Sequence, residues 1–207
     1  LNPDMSVVGV EAALFPSMHH ALTGEPMPEG GDTLAEGIAV KEPGKFTRAI
    51  IEERVDEILL VGEPELESAV ALLLQIEKTV VEGAGAAGRA AVLANKDKFA
   101  GKKVGLPLCG GNIDSRLLAT VLLRNLAREG RLARLRIALK DQPGALHKVV
   151  SLFERHNVNI IEVYHQRVFT KLPAKGLITD IECEARNKSQ VDALIAAAEG
   201  EASAARD

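Results

Sequence analysis

The sequence predicts an α/β protein in two parts: a parallel sheet covered by helices through residues 1–130, then a ferredoxin-like open sandwich of βαββαβ type through residues 131–207. Three observations carry this. Apolar runs without alternation at residues 7–10, 57–61 and 104–108 read as strands buried on both faces, with helical patterns between them, which is the rhythm of a parallel sheet. Arg128-Glu129-Gly130-Arg131-Leu132-Ala133-Arg134 is a charged, glycine-containing join. Beyond it the order becomes strand, helix, strand, strand, helix, beginning with a strand whose apolar residues alternate.

Composition narrows the functional classes. At 46% hydrophobic residues the chain can bury a substantial core. A net charge of −4 and 3% aromatic residues provide neither the basic surface nor the stacking platforms of a nucleic-acid or anionic-membrane binder, so both partners are set aside. The two cysteines, Cys109 and Cys183, are far apart and form neither a disulfide framework nor a metal knuckle, the usage of a reducing cytoplasm. No apolar run approaches the roughly 20 residues of a membrane span, and no secretory signal is visible. The chain begins at Leu1 and enters a strand almost at once, as expected of a chain cut from something longer.

In order, the strand at 7–10 leads into residues 11–32, where Pro16, Pro26, Pro28 and several glycines predict a long irregular loop. His19 and His20 stand in it, but adjacent residues rarely aim at one ion. Residues 33–40 form a short turn around Gly37, residues 46–54 have helical spacing, and 57–61 is the next strand. Residues 64–75 read as a helix with Pro64 in its first turn and Leu66, Val70, Leu73 and Leu74 on its core face.

Val80-Val81-Glu82-Gly83-Ala84-Gly85-Ala86-Ala87-Gly88 contains the spacing GxGxxG. A dinucleotide site would also need an acidic residue ending the next strand, about 20 residues on. Here that strand ends at Leu108-Cys109-Gly110. The stretch therefore reads as a helix running to Asn95 whose small residues permit close packing, with Glu82 just before it and near the Cys109 turn.

Residues 105–114 organise the first part. They read as strand, turn and helix: Gly110-Gly111 allows a sharp turn and close approach of backbone to a ligand, and Asp114 can cap a helix over 115–129 carrying Leu117, Leu118, Val121 and Leu122. A strand end opening into a helix N-terminus is where open α/β sheets place ligands, although a plain glycine-rich turn fits the same residues. In the second part, 132–139 alternates as a strand, 141–144 is a turn, and 145–156 is an amphipathic helix with Leu146, Val149, Val150, Leu152 and Phe153. Strands at 158–168 and 176–185 flank a hairpin loop, and a helix covers 189–199. Residues 201–207 are alanine-rich and charged where a final strand would complete the sandwich, so the ending is frayed or truncated.

Several of these stretches together match a known family. Val8-Gly9-Val10-Glu11, Thr33-Leu34-Ala35-Glu36-Gly37, Val81-Glu82-Gly83-Ala84-Gly85-Ala86 and Gly110-Gly111-Asn112-Ile113-Asp114 resemble the C-terminal part of the catalytic domain of threonine dehydratases, pyridoxal-phosphate enzymes of the tryptophan-synthase β fold. Residues 131 to about 200, with Asp141-Gln142-Pro143-Gly144-Ala145-Leu146, resemble an ACT domain, a regulatory module for small molecules. The order and spacing of the five segments make the match specific.

The resemblance implies roles. Cys109 stands where the family hydrogen-bonds the pyridine nitrogen of pyridoxal phosphate, Gly110 follows it in the turn, Glu82 matches a carboxylate near the ring, and Gly37 lies in a turn that closes over it. Related enzymes bind a cation near the position of Glu11, where the place of a second carboxylate is held by Ser17. In the ACT part, Asp141 would face the ammonium of an amino-acid effector such as isoleucine or valine, amides near Gly144 and Ala145 its carboxylate, and Asn159 matches a position that contacts bound amino acids between two copies of the module. Asp141 as a turn cap and Asn159 as a loop end are the structural alternatives. The family's Schiff-base lysine and phosphate loop lie upstream of the residues matched here, and none of the chain's lysines has that lysine's surroundings. The expectation is an inactive portion of an enzyme that deaminates threonine or serine, oligomeric through its ACT domain. The competing possibility is a stand-alone amino-acid-binding module, which would close its first domain without exposed apolar surface.

Overall fold

The computed structural model describes residues 5–204, which fall into two compact units, one ending at Leu122 and one beginning at Leu123. In the first, β1 (Val8–Ala12) and β2 (Glu57–Val61) pair in parallel, from Val8 opposite Glu57 to Ala12 opposite Val61. Around them lie α1 (Ser17–Thr23), a 3-10 turn at Glu36–Ile38, α2 (Lys45–Arg54), and α3 (Glu63–Leu72), which is prolonged by a π turn at Leu73–Glu77. They are followed by α4 (Gly83–Ala94) and α5 (Lys96–Phe99), and the division at Leu122 falls within the next helix, α6 (Ser115–Arg128). The core is aliphatic and rich in alanine: Val61, Leu66, Val70 and Val81 pack among Ala69, Ala86 and Ala90. Small residues on α4 let it lie close against α3, and each buried Val or Leu contributes about 1.5–3 kcal/mol.

Two expectations change. The segment expected to be a long irregular loop contains α1, whose N-cap Pro16 offers no side-chain cap. Its first amides are satisfied from outside the helix, because Glu11 on β1 accepts the N–H groups of Met18 and His19, both at 2.9 Å. Residues 104–108, expected as a buried strand, form none, and Val104 and Leu108 are exposed. Among the described residues β1 pairs only with β2, so no neighbouring strand accepts their hydrogen bonds, and Pro107 has no N–H to offer.

The second unit has β3 (Leu132–Lys140), α7 (Ala145–Arg155), β4 (Asn159–Gln166), β5 (Gly176–Glu184) and α8 (Lys188–Ala204). β5 is central and antiparallel to both neighbours, in the order β3-β5-β4. Val149, Leu152 and Phe153 of α7 and Val191 and Leu194 of α8 cover one face of the sheet, against Ile181 and Cys183. α8 continues through residues 201–204, and residues 205–207 of the expected ending lie outside the described residues.

On the other face Asp180 is buried beneath Arg136, whose Nε donates to Oδ1 at 2.7 Å and Nη2 to Oδ2 at 2.9 Å, while Gln166 Nε2 donates to Oδ2 at 3.2 Å. The Arg136 guanidinium holds this carboxyl below the usual carboxylate range. A carboxyl whose folded value is lowered stabilises the fold above its unfolded value, and the contribution disappears as pH falls through the folded one. Asp180→Asn should therefore be less stable than the wild type at about pH 7, with the gap narrowing towards about pH 3. Urea melts at the two pH values check this; an unchanged gap would refute it.

Candidate functional site

In the first unit the site is built where the segment before α6 crosses the start of α4. Asp114 Oδ1 accepts the N–H groups of Arg116 at 2.9 Å and Leu117 at 3.0 Å, fixing the start of α6 and the turn ahead of it. Gly110 has φ +87°, its carbonyl accepts the Glu82 N–H at 3.2 Å, and a Cβ there would stand 2.4 Å from Glu82 Oε1. Only glycine allows that crossing. In the first turn of α4, a Cβ on Gly85 would lie 2.0 Å from the Cys109 carbonyl oxygen, so the Cys109 backbone rests directly on the helix. From the third segment, a Cβ on Gly37 would be 3.3 Å from Glu82 Oε1 and 3.1 Å from the Ala84 Cβ. Gly37, Glu82, Cys109 and Gly110 thus converge, with Glu82 half-buried and Cys109 exposed.

The Gly37 turn is held by a contact that the sequence reading did not give, between its own first residues and Glu63. Glu63, at the start of α3, accepts the Thr33 hydroxyl at 2.6 Å and the Leu34 N–H at 2.8 Å, and Thr33 Oγ1 accepts the Ala35 N–H at 3.1 Å. A Cβ on Gly83 would sit 2.2 Å from the Leu34 carbonyl oxygen, so the same segment also rests on α4. An acidic residue in a helix's first turn was the available signal. Gly37 also borders a cavity of about 320 Å³ shared with Val10, Ile38, Ile51 and Ile58. Glu11, matched to a cation position, engages both carboxylate oxygens with the amides of α1. Among the described residues no group of three or more His, Cys, Asp or Glu side chains could hold a metal ion.

In the second unit Asp141, Gly144 and Ala145 line one pocket at the end of β3, together with Gln142, His165 and Arg167. Asp141 is paired: Arg167 Nε donates to Oδ2 at 2.8 Å and Nη2 to Oδ1 at 3.4 Å, and that bond holds the carboxyl below the usual carboxylate range. Asn159 does not join this group. It faces Glu184, which also faces Leu132, whereas Asp141 follows Lys140 opposite Gly176. About 26 Å of strand separates the two ends of the sheet. His165 and Arg167 went unremarked in the sequence, although alternation puts positions 165 and 167 on one side of the chain.

Comparison with known proteins follows the same division. The sequence pattern of the pyridoxal-phosphate dependent enzymes matches residues 1–110, and that of the ACT domain matches residues 133–200. The L-threonine ammonia-lyase of Thermotoga maritima is 36% identical over 196 residues, covering 94% of this chain and 49% of that protein. The L-threonine ammonia-lyase of Geobacter sulfurreducens is 36% identical over 201 residues, covering 96% of this chain and 50% of that protein. The chain thus spans about half the length of the curated relatives it matches. Among solved structures, the processed form of threonine deaminase isoform 2 from Solanum lycopersicum superposes with a TM-score of 0.53 at 26% identity, over 62% of this chain and 36% of that one. No helix among the described residues is long and apolar enough to cross a membrane. With the first of these patterns covering more than half of its residues, the chain belongs to the family of pyridoxal-phosphate-dependent enzymes.

Proposed function

We propose that this chain is the C-terminal part of a cytoplasmic threonine ammonia-lyase, whose full-length form removes water and then ammonia from L-threonine to give 2-oxobutanoate, with serine as the related substrate. The observation that carries this is the convergence of Gly37, Glu82, Cys109 and Gly110. Glycines at 37, 85 and 110 let three segments pack directly on one another, and this brings the Gly37 turn, Glu82 and Cys109 together at one place. The cofactor, when bound, supplies an electron sink. Cys109 would face its pyridine nitrogen with a thiol, Glu82 would stand near the ring, and the Gly37 turn would cover it. A neutral thiol there leaves a weaker sink than a carboxylate would, which favours β-elimination over transamination.

The surface of the first unit favours part of an enzyme over a closed stand-alone module. Phe46 and Ile50 on α2 are 89% and 61% exposed, and Val104 and Leu108 are open to solvent. On this reading the Schiff-base lysine is supplied from outside residues 1–207, so the chain alone turns over no threonine. The ACT part binds a branched-chain amino acid and joins subunits, and Asn159 contributes only across a contact between copies.

The test uses the full-length enzyme, followed by 2-oxobutanoate formation. Cys109→Ser should retain substantial activity, whereas Cys109→Asp should lose about a hundredfold. Equal tolerance of serine, alanine and aspartate would remove Cys109 from the cofactor site. Threonine turnover by residues 1–207 alone would overturn the assignment of the missing lysine.

A further inference from the structure

Two carboxylates stand in the first turn of α3, and they do different things. Glu65 Oε2 lies back over the helix end, 2.8 Å from where a Cβ on Gly62 would stand, as a carboxylate that serves its own helix does. Glu63 gives both of its oxygens to another segment, Oε1 to the hydroxyl of buried Thr33 and Oε2 to the Leu34 N–H. From there the hold passes along backbone: Thr33 Oγ1 accepts the Ala35 N–H, the Ala35 carbonyl accepts the Ile38 N–H at 3.0 Å, and the Glu36 carbonyl accepts the Ala39 N–H at 3.1 Å. Residues 33–39 are thereby tied into one piece, with the Leu34 carbonyl closing its other side against Gly83.

We propose that Glu63 is a positioning residue for the cofactor site: through Thr33 and Leu34 it fixes where the Gly37 turn stands beside Glu82, and so governs how tightly the full-length enzyme retains pyridoxal phosphate. This rests on the reading of Gly37, Glu82, Cys109 and Gly110 given above. A turn that covers a ligand holds it well only when it is ordered beforehand, because ordering it on binding costs affinity. Two donors converge on Glu63, and a carboxylate offers an acceptor oxygen to each. An amide would offer one oxygen and turn an NH2 group towards the other donor.

Equilibrium titration of the full-length apoenzyme with pyridoxal phosphate, followed by the absorbance of bound cofactor, tests this, with kcat measured separately at saturating cofactor. Glu63→Ala should weaken cofactor binding about tenfold and Glu63→Gln by less, with kcat at saturation within about twofold of the wild type. Thr33→Val breaks the same clamp from the other side and should weaken binding as Glu63→Ala does, and the double variant should bind no more weakly than either. Glu65→Ala, which touches the helix end alone, should lower stability and leave cofactor affinity unchanged. In the 207-residue chain, Glu63→Ala should speed amide exchange at residues 35–39 while the amides of α4 stay slow. Unchanged cofactor affinity in Thr33→Val, or an equal loss in Glu65→Ala, makes the contact a matter of fold stability alone and overturns the proposal, while the site itself stands. A wild-type apoenzyme that takes up no pyridoxal phosphate overturns the reading of the site as well.

Discussion

Gly85→Ala should destabilise the first unit by about 3 kcal/mol, although alanine in place of glycine inside a helix ordinarily stabilises by about 1 kcal/mol. The sign reverses because the new Cβ would stand 2.0 Å from the Cys109 carbonyl oxygen and 2.7 Å from Val81 Cγ1, and backbone cannot step aside as a side-chain end can. Gly88→Ala, one turn further along α4, is the control. Its Cβ would meet only Leu106 Cδ2 at 3.3 Å, a movable side-chain tip, so that variant should be neutral or more stable. Urea unfolding followed by circular dichroism compares the two. The Cys109 thiol provides a second readout, because a lifted loop should change its rate of reaction with a disulfide reagent. A Gly85→Ala chain as stable as Gly88→Ala would mean that the loop does not rest on α4 as described.

Phe153→Ala should cost about 3–5 kcal/mol and be confined to the second unit. Phe153 is 2% exposed and packs among Leu152, Ile181, Val191 and Leu194, where removing the ring leaves a cavity that the sheet and two helices cannot close together. Phe153→Leu, which restores most of the volume, should cost less than about 1.5 kcal/mol. Tyr164 is the only tyrosine and there is no tryptophan, so intrinsic fluorescence reports the second unit alone. Phe153→Ala should shift the fluorescence transition to lower urea. A loss below about 1 kcal/mol would contradict the packing described.

Much of this was legible in the sequence because it is local. Asp114 ahead of an apolar helical repeat announced its cap, and the alternation of residues 132–139 announced β3. The small residues of α4 read as close packing, and they pack on two sides, Ala86 and Ala90 in the core with α3 and Gly85 against the Cys109 loop. What the sequence hid depends on distant partners. α1 is started by a carboxylate on β1, and the Gly37 turn is pinned by Glu63 across 29 residues from Leu34. Residues 104–108 carry the composition of a strand, but composition supplies no neighbour to pair with. Arg167 was hidden for the same reason: its partner Asp141 is 26 positions away, and only the order β3-β5-β4 brings the ends of β3 and β4 together. Asn159 lies at the opposite end of the sheet from Asp141, so a site that uses both would take them from two different copies.

The order of the three strands also governs the sequence of folding events. β4 and β5 are joined by a hairpin whose nearest paired residues, Gln166 and Ile178, are close in the chain, whereas the nearest pair that joins β3 to β5 is Lys140 opposite Gly176, with α7 and β4 lying between them in sequence. Loop-closure entropy makes the hairpin the early event and the docking of β3 the late one. The mouth formed by Asp141 and Arg167 exists only after that last docking. Its amides should accordingly be among the first in the sheet to exchange with deuterated water, ahead of those in the β4–β5 hairpin.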